Sequence, residues 1–238
     1  MTIKQRAGQW LFPRMPITRF LFEQLRVEAN AIWVSLGNAT IPGRRRLLKE
    51  IRRGRDLRVN IACGPRILHG FSNIDLYPLD PAVVRWDCRW DLPLADCSAA
   101  GIRVEQFLEH LETREELPTF LKECLRALRP GGVLRVILPD AGRYLQAYCR
   151  DDLVGFRELA VPDPFPDDLP TRMDVINHVF HQWHEHRCGY DFETLAHRLR
   201  AAGFGHVAQM AYKQSLDPLL AQDLDEHAPY SLYVDAVK

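Results

Sequence analysis

The sequence predicts an α/β protein: a doubly wound, mostly parallel sheet behind an N-terminal helical arm. Three observations predict it. From residue 57 onward, short apolar runs alternate with segments of helical period, the pattern of strand–helix–strand units. The run Val133-Leu134-Arg135-Val136-Ile137-Leu138 is apolar at every position but one, as a strand covered on both faces requires. Several runs end in glycine or a carboxylate, the residues that ligands meet at the carboxyl ends of strands in open sheets.

The elements follow in order. Residues 17–36 place Phe20, Leu21, Leu25, Ala29, Ile32, Trp33 and Leu36 at helical spacing, with Gly37 and Asn38 as terminators. Residues 44–53 form a second, short helix stopped by Gly54. Residues 57–62 are a strand closed by the turn Cys63-Gly64-Pro65, and 73–75, 83–87 and 101–106 are three more. Only a loop or one helical turn fits between Gly64 and Asp75. A helix over 113–129 has Leu117, Phe120, Leu121, Cys124, Leu125 and Leu128 on its apolar side. Its start reads as a capping box of Thr113 and Glu116, and Pro130-Gly131-Gly132 ends it. After the strand 133–138, Asp140 caps a helix that runs to about residue 150. Residues 161–171, with four prolines and three aspartates, are a loop of the length that lids and binding segments use. Asp191 caps a helix that Gly203 stops. Strands at 207–213 and 231–237 close the chain.

Composition narrows the class. The 238 residues are 47% hydrophobic and 26% charged, which excludes extended disorder, collagen-like repeats and a disulfide-dense mini-protein. Lys+Arg and Asp+Glu are both 31, yet residues 1–58 hold 13 basic and 4 acidic residues. A basic arm therefore precedes an acidic body, which suits an anionic partner, arm–body contact or a solvated face. The cluster Arg44, Arg45, Arg46, Lys49, Arg52, Arg53 and Arg55 suits phosphates, an anionic membrane surface or plain solvent. It has no interleaved aromatics, so nucleic acid is not an expected partner. The cysteines at 63, 88, 97, 124, 149 and 188 make no CxxC pair, so neither a zinc ribbon nor a thioredoxin-like site is expected. Residues 1–10 lack the apolar core of a secretory signal, and no window of 18 apolar residues occurs. Reduced thiols, a cytoplasmic location and no transmembrane span are the expectations.

The strand ends carry Cys63-Gly64, then Asp75, then Asp87, then Glu105-Gln106-Phe107. Glycine at the first turn lets backbone approach a ligand closely. A carboxylate at the second strand end can accept two ribose hydroxyls. Together they describe a pocket for an adenosyl group. The order INIACG, GFSNIDL, VVRWDCR with LPL, VEQFLEHL, and FLKECLRALRPGGVLRVILPD resembles the class I S-adenosylmethionine-dependent methyltransferases. Within them it looks like a small bacterial branch with a CG turn, a NID strand, an LEHL segment and RPGG. The resemblance covers roughly residues 57–150 and continues more weakly over 186–204.

The resemblance implies a Rossmann-like, seven-stranded sheet with an antiparallel last strand, and S-adenosyl-L-methionine as cofactor. It implies that Ala62, Cys63 and Gly64 pass under the methionine part and that Asp75 and Leu76 meet the ribose. Asp87 and Cys88 would border the adenine, and Glu105, Gln106 and Phe107 would line the side of the transferred methyl. Residues 1–56 are then an arm that covers the site, dimerises or touches a membrane surface. Residues 57–238 are the catalytic domain, with 151–190 as lid or substrate insert.

His178, His181, His184 and His186 fall within nine residues and suit a solvated face, a substrate contact or base, or a metal. His186 and His181 are the catalytic candidates, His186 first because it lies on the weaker match; no metal set is assigned. Glu109-His110 reads as an anchor for the helix after the fourth strand, with catalysis the other reading. The fourth strand is followed by Glu105-Gln106-Phe107-Leu108 and not by (N/D)PPY. That favours methylation of oxygen, a hydroxyl or carboxyl of a small molecule or sugar, by direct displacement. Two rivals remain: an inactive methyltransferase-like binding module, and aminopropyl transfer with Asp163, Asp167 and Asp168 holding a polyamine. A nicotinamide dehydrogenase lacks its glycine pattern.

Overall fold

A computed structural model describes residues 18–238; the reading of residues 1–10 and the first residue of the predicted arm helix lie outside the described residues. Seven strands form one sheet: β1 (Leu57–Ile61), β2 (Ser72–Asp75), β3 (Val84–Arg85), β4 (Ala99–Glu105), β5 (Leu128–Pro139), β6 (His206–Met210) and β7 (Ser231–Val237). Their order is β3-β2-β1-β4-β5-β7-β6. Strands β1 to β5 are parallel, and β7 runs antiparallel between β5 and β6. This is the Rossmann-like sheet with an antiparallel last strand that the sequence predicts. Strand order reverses between β1 and β4, so the ligand crevice of such a sheet opens outside their carboxyl ends.

One face of the sheet is apolar. Val59, Ile61, Ile74, Ile102, Val104, Leu134, Val136 and Val234 are buried in one core with two helices, α3 (Glu116–Ala127) and α7 (Phe192–Ala202). Leu117, Phe120, Leu121 and Cys124 come from the first, and Leu195, Ala196 and Leu199 from the second. Each such large side chain contributes about 1.5–3 kcal/mol on burial.

The other face carries a polar row. Register aligns Asn73, Asn60, Arg103, Arg135 and Asp235 across β2, β1, β4, β5 and β7, all of them buried. Arg135 donates to both oxygens of Asp223 at 3.0 and 2.6 Å and to Asp235 at 2.9 Å. The second oxygen of Asp235 accepts from Ser215 Oγ and the Leu216 N–H. The row thus clamps residues 213–223 onto the sheet. Arg103, a charge inside a strand, is held by Glu105 at 2.6 Å and the Gln222 carbonyl at 3.1 Å. No helix intervenes between β1 and β2 or between β2 and β3, as the eleven-residue spacing predicts for the first.

Among the described residues the arm forms two helices, α1 (Arg19–Thr40) and α2 (Pro42–Arg53). α1 runs past its predicted terminators because Asn38 spends its side chain on the Arg85 carbonyl, 2.8 Å away. It ends where Ile41 turns extended, the conformation a following proline imposes. α2 stops at Gly54 as predicted. Its Leu48 and Ile51 enter the main core, while Arg45, Arg46, Lys49, Arg52 and Arg53 are exposed. The capping box of Thr113 and Glu116 does not form. Glu112 takes that place: its carboxylate accepts the N–H groups of Arg114 and Glu115, and Glu116 accepts the N–H of Glu112. α3 therefore begins at Glu116, which puts Pro118 in the first turn, where its missing N–H costs nothing.

β3 and β6 are shorter than predicted, and three helices build a second small core. α4 (Ala141–Cys149), α5 (Leu153–Glu158) and α6 (Arg172–His181) bury Tyr144, Ala147, Phe156, Leu159, Val175, Ile176 and Val179 together. Asp140 caps α4, and residues 161–171 are the predicted loop. Asp191 caps α7 by accepting from Thr194 N at 2.8 Å, and Gly203 ends it with φ of 111°. Asp191→Ala is expected to lower stability by about 1 kcal/mol, read as a shift of the denaturant midpoint at unchanged slope. Among the described residues no helix is long and apolar enough to cross a membrane.

Candidate active site

The carboxyl ends of β1, β2, β3 and β4 bring the predicted adenosyl residues to one edge. β1 leaves the sheet through Ala62 and Gly64, with φ of 53° and 52°. A left-handed alanine costs roughly 1–2 kcal/mol, and such strain collects at ligand sites. A Cβ built on Gly64 would meet nothing within 4 Å, so the turn faces open space. Asp75 stands across from it. One of its oxygens accepts the Gly64 N–H at 2.8 Å and the other the Tyr77 N–H at 2.6 Å, which leaves each oxygen a further lone pair. Leu76 is half-buried, and its carbonyl accepts from Asn30 of α1.

Asp87 lies just beyond β3, gripped by the Arg89 guanidinium at 2.8–3.2 Å. Arg89 also reaches Glu28 of α1 at 2.6 Å and Glu116 of α3 at 3.3 Å. Burial works against its charge, and the Asp87 and Glu28 hydrogen bonds more than restore it. Cys88 is buried, and burial lifts its thiol well above the usual range. Cys63 is pushed up to about 12 by burial and by the Asp75 charge, so its thiolate is not populated at neutral pH. At the end of β4, Gln106 has φ of 51° and donates its N–H to the Ile137 carbonyl. Phe107 sets its ring edge on Phe120 at 5.3 Å.

Residues 74–136, from β2 through β5, match the family described as a methyltransferase domain. That match agrees with the S-adenosylmethionine-dependent methyltransferase domain that the sequence resembles. No curated protein matches it. Among solved structures it is similar to an S-adenosylmethionine-dependent methyltransferase from Mesorhizobium loti, 18% identical over 83% of this chain and 96% of that one, TM-score 0.44. An S-adenosylmethionine-dependent methyltransferase from Archaeoglobus fulgidus is 16% identical over 86% and 94%, TM-score 0.46. Phosphoethanolamine N-methyltransferase 2 from Haemonchus contortus, in complex with S-adenosylmethionine, is 12% identical over 82% and 52%, TM-score 0.41.

The structure places the two catalytic candidates differently. His181, the last residue of α6, is exposed, and no side-chain hydrogen bond orients its ring among the described residues. After it, Gln182, Trp183 and His184 are left-handed in succession, with φ of 33°, 55° and 78°. This turn folds the chain back, so that the His186 N–H donates to the His181 carbonyl. His186 is buried, its Nδ1 lies 2.8 Å from the Val179 carbonyl, and burial pulls its pKa down to about 4.

Two further groups stand at this edge: Glu109, which the sequence reads with His110 as an anchor or a catalytic group, and His227, which had no signal in the linear sequence. Glu109 is buried and neither of its oxygens has a hydrogen-bond partner; burial lifts its carboxyl to about 8. His227, 122 residues from Glu105, sets Nδ1 3.0 Å from the Glu105 carboxylate. Burial alone would raise Glu105, but hydrogen bonds from His227 and Arg103 and the Arg103 charge hold it down at about 2. Arg66 adds a third contact to Glu105 at 3.2 Å. A histidine whose Nδ1 is fixed by an ionised carboxylate presents Nε2 as a proton acceptor. This pair stands where β4 ends, on the methyl side of the edge that the resemblance predicts.

Proposed function

We propose that the methyltransferase transfers methyl to a hydroxyl oxygen of a small molecule or sugar, with His227 as the general base and Glu105 as its positioning residue. The Glu105–His227 pair carries this reading. A hydroxyl has to shed its proton as the new C–O bond forms, and a positioned general base contributes typically 10²–10⁴-fold. His186, with a pKa of about 4, is a weak base at neutral pH, and His181 lacks an orienting partner among the described residues. The absence of (N/D)PPY after β4 fits the same reading.

The donor supplies an electrophilic methyl on a sulfonium, and the residues present fit it. The open turn at Gly64 would admit its methionine part, with Ala62 and Cys63 beside it. Asp75 would accept the ribose hydroxyls, with Leu76 adjacent. Asp87 and Cys88 would border the adenine. Gln106 and Phe107 would wall the open side. These residues bind and orient, which supplies most of the acceleration in a direct displacement. His227 Nε2 takes the acceptor proton, and the Glu105 carboxylate stabilises the resulting imidazolium through Nδ1–H.

Residues 1–56 are read as the arm over residues 57–238. Its helix α1 supports that by touching the exits of β2 and β3 and Arg187 through Asn30, Asn38, Glu28 and Gln24. Residues 151–190 are read as the insert that holds the acceptor. The test is a screen with methyl-labelled S-adenosylmethionine against hydroxyl, carboxyl and amine acceptors. Base-stable label in an ether product is expected. Label in base-labile esters or in amines, with none in ethers, contradicts the hydroxyl reading.

A further inference from the structure

Glu109 and His110 lie in a single 3-10 turn, Leu108–His110, just after β4. The loop after α6 closes on this turn with two hydrogen bonds. The Arg187 N–H donates to the Glu109 carbonyl at 2.7 Å, and His110 Nδ1 lies 3.0 Å from the Glu185 carbonyl. His186 is thereby packed edge-on against His110, ring centroids 4.9 Å apart. One ligand atom from each of Glu109, His110 and His186 falls within 4.8 Å of the other two.

We propose that Glu109, His110 and His186 form a binding site for a divalent first-row transition-metal ion of the zinc type. Three features beyond proximity point there. Both imidazoles face a backbone carbonyl through Nδ1, so that nitrogen carries the proton and Nε2 keeps its lone pair. Metal-binding histidines are fixed in this way by outer-shell acceptors. Glu109 is 2% exposed and both its carboxylate oxygens lack partners, although buried polar groups are as a rule satisfied. And two imidazoles with one carboxylate is a set that zinc accepts with a fourth position open and that iron(II) also uses. Bonds of about 2.0–2.2 Å require the side chains to close by about one ångström. The ion would neutralise Glu109 and lock the loop 182–187 onto the end of β4.

The experiment uses the full chain, stripped with a chelator and titrated with Zn²⁺ by calorimetry and with Co²⁺ by absorption spectroscopy. One ion per chain, a Co²⁺ spectrum of nitrogen and oxygen ligation without thiolate charge-transfer bands, and a Tm raised by Zn²⁺ are expected. Glu109→Gln, His110→Ala and His186→Ala each remove or weaken a ligand and lower affinity by at least the roughly 10–100-fold that loss of an outer-shell partner costs. His197→Ala and His206→Ala, at exposed positions, leave it unchanged. If the buried variants fail to fold, the wild-type Co²⁺ spectrum and His110→Ala still decide. No Zn²⁺ binding by folded wild type, thiolate bands, or full affinity in Glu109→Gln or His110→Ala overturns the site.

Discussion

Arg135→Ala is expected to destabilise the protein by about 3–5 kcal/mol, the cost of leaving buried charge without its counterion. Arg135, Asp223 and Asp235 have side chains with 0% exposure. Removal of the guanidinium leaves two carboxylates in the interior without the cation that bridges them. It also removes the cation from the Tyr233 ring, 5.3 Å away. The loss extends to the chain that the row clamps, since Asp223 accepts from Lys213 N and Asp235 from Leu216 N. Denaturant titration measures it. Replacing all three by apolar residues of similar volume should recover most of the loss, because a buried ion triad is often no better than well-packed hydrophobic residues. A loss under about 1 kcal/mol for Arg135→Ala would mean that the row does not hold residues 213–223.

His227→Ala is expected to lower kcat by 10²–10⁴, about 3–5 kcal/mol of transition-state stabilisation, with KM little changed. The acceptor is whichever hydroxyl compound the labelled screen returns. The ring is mostly buried, between the Glu105 carboxylate and the Tyr230 ring, so circular dichroism and Tm are measured beside the kinetics to separate a lost base from a lost fold. Glu105→Gln keeps the shape and deletes the charge that orients the imidazole. Its kcat should fall less than that of His227→Ala, again without a rise in KM, because a positioning residue acts in the transition state through its partner. Full kcat in His227→Ala would return the search for a base to the loop 178–186.

Much of the fold was legible because its signals are local. Strand ends at Gly64, Asp75 and Glu105 announce themselves by a residue change within a short run. Asp140, Asp191, Gly54 and Gly203 cap helices through contacts with neighbours in sequence. What was hidden depends on distant partners. Arg135 looks out of place inside a strand until Asp223 and Asp235, 88 and 100 residues beyond it, are seen beside it. His227 reads as one more polar residue in a C-terminal loop until β7 returns it to Glu105. The approach of His186 to Glu109 depends on three left-handed residues, Gln182, Trp183 and His184, none of which is the glycine or asparagine that signals such a turn. The failed capping box at Thr113 shows the converse: a correct local pattern lost to Glu112, whose carboxylate takes the N–H groups of Arg114 and Glu115 while Glu116 takes the N–H of Glu112.

Calorimetric titration with S-adenosylmethionine and S-adenosylhomocysteine, on the wild type and on Asp75→Ala, tests the central claim most directly. Asp75 is half-buried at the end of β2 and supports only the two N–H groups of Gly64 and Tyr77, so its removal should leave the circular dichroism spectrum unchanged. The account predicts binding of both ligands by the wild type and at least tenfold weaker binding by Asp75→Ala, about 1.4 kcal/mol. Equal affinity in the variant, or no binding by folded wild type, would contradict the placement of the cofactor at the Gly64–Asp75 edge.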